Sequence, residues 1–187
     1  TESGKIIGIL GQNGCGKSTL LSVLAGIVPC KSGSFLYKSV NLLKDKNASR
    51  KIIAYVPQEL SLIEELSARD NLNFWYKKDE LEKSLSSGFL KSLGINEFLD
   101  VPVKKMSGGM KKRLSLGCAI YNNPEILLLD EPTASLDLFC KETIYKYLKE
   151  FTGTGGTALI ATHEIQEIEL CDTCFIIKDG ASVEYKK

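Results

Sequence analysis

Nine consecutive residues near the start, Gly11-Gln12-Asn13-Gly14-Cys15-Gly16-Lys17-Ser18-Thr19, have the types and spacing that grip a phosphate. Glycines permit a compact turn in which successive N–H groups point inward. Set between a strand and a helix, such a turn also meets the positive end of the helix dipole. Lys17 is placed to reach the β and γ phosphates of a nucleotide, and the Ser18 hydroxyl to bind Mg²⁺. Cys15 sits inside the loop, close to where a phosphate would lie, and reads as a small filler.

A second group follows the run Ile126-Leu127-Leu128-Leu129, which ends in Asp130-Glu131. Carboxylates at the end of a buried strand stand where parallel sheets place ligand chemistry. Asp130 can hold the Mg²⁺ shell through water, and Glu131 can polarise an attacking water. His163, the only histidine, follows the apolar run Thr157–Ala161 and so belongs to the same edge as Asp130. From there it can donate to a γ phosphate or hold the water. Gln58, after Tyr55-Val56-Pro57, offers a neutral amide. A second glycine-rich grip, Ser107-Gly108-Gly109, precedes a helical pattern that begins near Met110. Lys104, Lys105, Lys111, Lys112 and Arg113 around it raise the local positive potential, although a charge run is also what a solvated face looks like.

These groups need a scaffold, and the apolar runs supply one. Strands are expected at Lys5–Leu10, Ser34–Tyr37, Ile52–Val56, Ile126–Leu129 and Thr157–Ala161, with a hairpin from Cys174–Ile177 and Ser182–Tyr185 around Lys178-Asp179-Gly180. Helices are expected from Gly16 to about Ile27, from Leu138 to Phe151, and after Thr162. Strands alternating with helices imply an α/β core with a parallel sheet. Residues from Glu59 to Cys118 are mainly helical and polar, with pauses at Gly88 and Gly94, and read as an insertion between two core strands.

Composition narrows the class further. The 187 residues are 43% hydrophobic and 25% charged, enough for one core with a satellite subdomain. A formal charge of +1 gives no bulk attraction to a polyanion, so no nucleic-acid partner is expected. The run Leu20–Val28 is too short and too interrupted to cross a bilayer. Six scattered cysteines suit free thiols in a reducing compartment. Cys171-Asp172-Thr173-Cys174 has redox-motif spacing, but core thiols at a helix-to-strand corner are the expected reading.

Six ordered motifs, GQNGCGKST, YVPQ, MSGGM, ILLLDE, Ser135-Leu136-Asp137 and Thr162-His163, resemble those of the ATP-binding-cassette (ABC) ATPases over nearly the whole chain. The closest likeness is to stand-alone subunits of bacterial exporters. This resemblance implies a P-loop NTPase core with a small antiparallel β part and an inserted helical subdomain. Residues 1–58 and 119–187 would form the nucleotide-binding core of a single domain, and residues 59–118 the insertion that carries Ser107-Gly108-Gly109. It implies Mg²⁺ and ATP as cofactors, with Ser18, Gln58 and Asp130 at the metal and Glu131, His163 and Gln58 as the catalytic set. Two cassettes, copies or homologues, would pack head to tail. Ser107, Gly108 and Gly109 would then grip the γ phosphate held by the partner's phosphate loop, with Asp137 at the interface.

The resemblance further implies an integral membrane permease that the ATPase powers, from a cytoplasmic position on the inner face of the membrane. A soluble relative that acts on ribosomes or DNA is the alternative. Near-neutral charge and a short insertion speak against it. Two departures stand out. Met106 and Met110 replace the leucine and glutamine that usually flank the SGG core. The adenine-stacking aromatic of the family is expected upstream of Thr1.

Overall fold

In a computed structural model of the chain, residues 3–59, 61–134, 136–178 and 180–185 are described. Ser135 of the Ser-Leu-Asp motif and Asp179 of the expected hairpin turn lie outside them. The chain divides into two compact units, residues 1–58, 124–132 and 148–187 in one and residues 59–123 and 133–147 in the other.

Among the described residues the first unit holds eight strands: β1 (Ile6–Leu10), β2 (Leu36–Tyr37), β3 (Val40–Asn41), β4 (Ile53–Val56), β5 (Ile126–Asp130), β6 (Thr157–Ala161), β7 (Thr173–Lys178) and β8 (Ala181–Tyr185). Six of them form one sheet in the order β4-β5-β6-β1-β7-β8, and β2 with β3 form a separate ribbon. All neighbours in the large sheet run parallel except β7 and β8. Both β1 and β5 are buried along their whole length, as strands covered on both faces must be. On one face Ile7, Ile9, Ile126 and Leu128 pack with Leu21 and Leu42. On the other, Gly8 leaves room for Cys171 and Cys174: a methyl there would stand 3.0 Å and 2.9 Å from their sulfurs. Both cysteines are buried at the corner into β7, where the Cys171 thiol donates to the Glu167 carbonyl at 3.0 Å, so packing accounts for their spacing.

Several boundaries differ from the sequence reading, each for a local reason. Helix α1 spans Lys17–Leu24 and stops short of Ile27, because Gly26 takes a left-handed conformation just beyond its end. The expected strand at Ser34–Tyr37 shrinks to β2, which turns back through Lys38 and Ser39, both at positive φ, into β3. Lys38 and Tyr37 bind the Glu125 carboxylate beside β5. Helix α2 (Lys46–Ile52) was not anticipated; Asp45 caps it by accepting from the N–H groups of Asn47 and Ala48.

The second unit holds α3 (Ala68–Asn73), α4 (Lys78–Ser87), the short α5 (Phe89–Ser92), two 3₁₀ turns and α6 (Gly108–Ala119). Gly88 separates α4 from α5, and Gly94 turns left-handed after α5. Residues 119–123 and 133–147 group here, not with residues 1–58, because α6 extends to Ala119 and the first half of α7 (Leu138–Gly153) packs within this unit. Thr133 Oγ1 lies 3.4 Å from Tyr145 Oη, and the Phe89 and Tyr147 rings are in contact. Arg113 is buried rather than offered to a ligand: it donates to the Leu93 carbonyl at 3.0 Å and lies over the Phe98 ring. Lys112 is buried too, and Lys111 pairs with Glu64, so Lys104 and Lys105 are the exposed remainder of the expected basic patch.

Gly117 of α6 is pressed between apolar side chains; a methyl there would meet Leu90 at 2.8 Å and Ile95 at 2.9 Å. Gly117→Val is therefore expected to destabilise the protein by about 1–3 kcal/mol through overpacking. A urea midpoint equal to that of the wild type would contradict it. No helix among the described residues is long and apolar enough to cross a membrane.

Candidate active site

A parallel sheet aligns the C-terminal ends of its strands, and the register sets how closely. Val56 of β4 stands opposite Leu129 of β5, Asp130 of β5 opposite Ala161 of β6, and Ala161 opposite Ile9 of β1. The residues that follow these four ends are Gln58, Glu131, His163 and the loop from Gly11 to Gly16. Strand order alone therefore brings together groups that are far apart in sequence.

They meet with defined geometry. Glu131 Oε2 accepts a hydrogen bond from Gln58 Nε2 at 3.0 Å, and Glu131 Oε1 lies 3.1 Å from His163 Nδ1. The carboxylate is thus held from both sides. Glu131 has φ of +46°, uncommon for a residue other than glycine, and its N–H is tied to the Ala161 carbonyl at 2.9 Å. Strain of this kind costs about 1–3 kcal/mol and persists where the surroundings impose it. Asp130 is buried at the end of β5.

Sequence alone assigns His163 to phosphate or water and gives no contact between it and Glu131. It also has Thr162 open the following helix. In the structure α8 (Ile165–Leu170) starts later, and the Thr162 hydroxyl accepts the Glu164 N–H at 2.9 Å. Thr162 itself is buried, and His163 beside it is exposed. A threonine directly before the histidine was the available signal.

The phosphate loop leads into α1 through Gly16, which is left-handed, and no side chain caps the helix. No acidic residue stands in its first turn, so its N–H groups and positive end face outward uncompensated. Lys17 is only 6% exposed and folds back, its Nζ donating to the carbonyls of Gly11 at 2.8 Å and Gln12 at 3.2 Å. Asn13, Gly14, Gly16, Lys17, Ser18, Thr19, Gln58, Glu131 and His163 line one cavity of about 330 Å³. Neither Gly14 nor Gly16 has an atom within 4 Å of where a Cβ would stand. These residues fit a phosphate chain with its cation: open backbone donors, a lysine, a hydroxyl, and an amide whose oxygen is not used by Glu131.

Gly11 and Cys15 shape the loop from behind. A methyl at Gly11 would lie 2.5 Å from Cys15 Sγ and 2.9 Å from the Ile177 carbonyl oxygen, at a φ of +150°. Gly11→Ala is expected to weaken binding of a phosphate chain at least tenfold, and Cys15→Ala should not rescue it, because the Ile177 backbone clash remains. Rescue in a nucleotide titration would place the whole effect on the thiol.

The other glycine grip lies in the second unit. Ser107 is the N-cap of α6, which begins at Gly108, two residues before the expected Met110. Its Oγ accepts the Met110 N–H at 3.2 Å, so capping alone gives the serine a purpose; its own O–H remains a donor. Asp137 precedes α7 in the same unit, and its Oδ1 accepts the Cys140 N–H at 2.9 Å.

A mostly parallel sheet with a glycine loop at the start of α1 and an acid pair after β5 defines a P-loop nucleotide-binding protein. Comparison with known proteins narrows the class. Residues 1–134 match the ABC transporter family, and the chain belongs to it. It is 35% identical over 187 residues to the linearmycin resistance ATP-binding protein LnrL of Bacillus subtilis, covering 97% of this chain and 60% of that protein. It is also 35% identical to the Nod factor export ATP-binding protein I of Sinorhizobium fredii, covering 97% and 54%. The chain thus spans little more than half the length of these relatives. Among solved structures, a dimeric post-hydrolysis state of the ATP-binding cassette MJ0796 bound to ADP and Pi superposes with a TM-score of 0.85 at 27% identity, covering all of this chain and 88% of that one.

Proposed function

We propose that the chain binds and hydrolyses ATP, and that two such cassettes close head to tail on the nucleotide to power a separate membrane permease. The observation that carries this reading is the Gln58–Glu131–His163 network on the cavity that also holds Lys17 and Ser18. A network of that kind is superfluous for a protein that only binds nucleotide. Loop N–H groups from Asn13 to Thr19, with Lys17, would hold the phosphates. Ser18, Gln58 and Asp130 would hold Mg²⁺, which when bound neutralises charge on the phosphate oxygens. Glu131 takes the proton of the attacking water, and Gln58 and His163 keep its two oxygens oriented.

Ser107, Gly108, Gly109 and Asp137 would meet the nucleotide of the other cassette, either a second copy or a homologous subunit. A γ phosphate shared in this way closes the pair, and hydrolysis loosens it. Support comes from the dimeric, ADP- and Pi-bound state of the MJ0796 cassette. Relatives named for Nod factor export and for linearmycin resistance favour export and a place on the inner face of the cell membrane.

The test is purification of the full-length protein from detergent-solubilised membranes, with identification of what accompanies it. A polytopic membrane protein is expected. Ribosomal proteins or DNA would replace the transporter reading with a soluble one.

A further inference from the structure

Asp137 would be a surface carboxylate able to sample several rotamers, were it not for one neighbour. Its Oδ1 accepts the backbone N–H of Cys140 at 2.9 Å, and its Oδ2 accepts the Cys140 thiol at 3.3 Å. Both oxygens are therefore held by a single residue. Cys140 is only 3% exposed and anchored in the helical unit, so it has little freedom to follow the carboxylate. Burial and the Asp137 contact raise its thiol pKa, which keeps the S–H in place as a donor. The same two hydrogen bonds lower the pKa of Asp137, so the carboxylate stays charged.

The clamp stands against the SGG grip. A methyl at Gly109 would lie 3.5 Å from Cys140 Sγ and 3.9 Å from Asp137 Oδ2. Leu138 and Phe139, between the two clamped residues, are 63% and 72% exposed, an apolar pair beside a fixed charge. An exposed phenylalanine next to an oriented carboxylate suits a protein surface better than water.

We propose that Cys140 is a positioning residue: its thiol fixes the Asp137 carboxylate beside Gly109, so that the face carrying Ser107, Gly108 and Gly109 meets the second cassette already ordered. The inference rests on the pairing reading above. Pre-ordering acts on association of the two cassettes, and the phosphate loop of a single chain does not depend on it.

The test uses the full-length protein carrying Glu131→Gln, with Mg-ATP-driven association followed by sedimentation. Cys140→Ala is expected to weaken association roughly three- to tenfold, the effect of losing one net hydrogen bond. Cys140→Ser, whose hydroxyl can donate to the same oxygen, should recover most of it. In an Asp137→Ala background, Cys140→Ala should add nothing further. ATP affinity measured under conditions where the chain stays unpaired is the control that separates positioning from general damage. Equal association with and without the thiol, where Asp137→Ala alone weakens it, would overturn this inference and leave pairing intact. Absence of any ATP-driven association would remove pairing, and the inference with it.

Discussion

Glu131→Gln is expected to reduce steady-state ATP turnover by about 10²–10⁴-fold, the range for loss of a general base, while ATP binding persists. The substitution keeps side-chain volume and removes only the basicity of the carboxylate. Its neighbours can adapt. Gln58 Nε2 and His163 Nδ1 now approach Oε2 and Oε1, and an amide at 131 offers one acceptor and one donor in their place. His163 can face the new donor with its unprotonated nitrogen, since imidazole tautomers exchange these roles. Gln58 needs no change if the amide oxygen takes the Oε2 position. The unusual φ of residue 131 costs glutamine much the same as glutamate. Folding should therefore survive, and paired chains should accumulate with ATP trapped between them. Phosphate release and sedimentation on the same sample check both halves. Hydrolysis at the wild-type rate would remove Glu131 from the role of base.

Lys17→Ala is expected to weaken ATP binding by about 30-fold or more, since truncating one member of a buried charge contact costs about 2–5 kcal/mol. Two losses combine at this position. The buried ammonium lines the phosphate cavity, and its Nζ also holds the loop carbonyls of Gly11 and Gln12. Without it, the loop loses both its charge and its internal tie. Lys17→Arg is not a conservative replacement, because a planar guanidinium cannot fit the compact bridge between two adjacent carbonyls. A nucleotide titration, with thermal unfolding as the check on folding, measures the effect. An affinity within threefold of wild type would move the phosphates away from Lys17.

Much of the candidate site is legible in the sequence, and the reason is that its parts are local. The glycine spacing from Gly11 to Gly16 favours a tight turn, and the unbroken apolar run Ile126–Leu129 reads as a strand covered on both faces, which β5 is. Asp130 and Glu131 are adjacent to that strand, so their place at its end needs no tertiary information. Alternation of strands and helices then implies the parallel sheet. Helix ends are less legible, since Gly26 stops α1 short of the expected Ile27, and a cap at Asp45 starts a helix with little amphipathic pattern.

Tertiary structure decided what depends on contacts across long separations. Gln58 and Glu131 are 73 residues apart, and Glu131 and His163 are 32 apart. Nothing in their spacing says they touch; the strand order β4-β5-β6-β1 and its register do. Burial of Lys112 and Arg113 was equally hidden, because a run of basic residues looks the same in solvent or folded against Leu93 and Phe98. The clamp of Cys140 on Asp137 spans only three residues and is local; what tertiary packing adds is the burial that holds Cys140 in place. Sequence thus determined the kinds of groups and the elements that carry them. Packing and register, which are properties of the whole chain, determined which groups face one another.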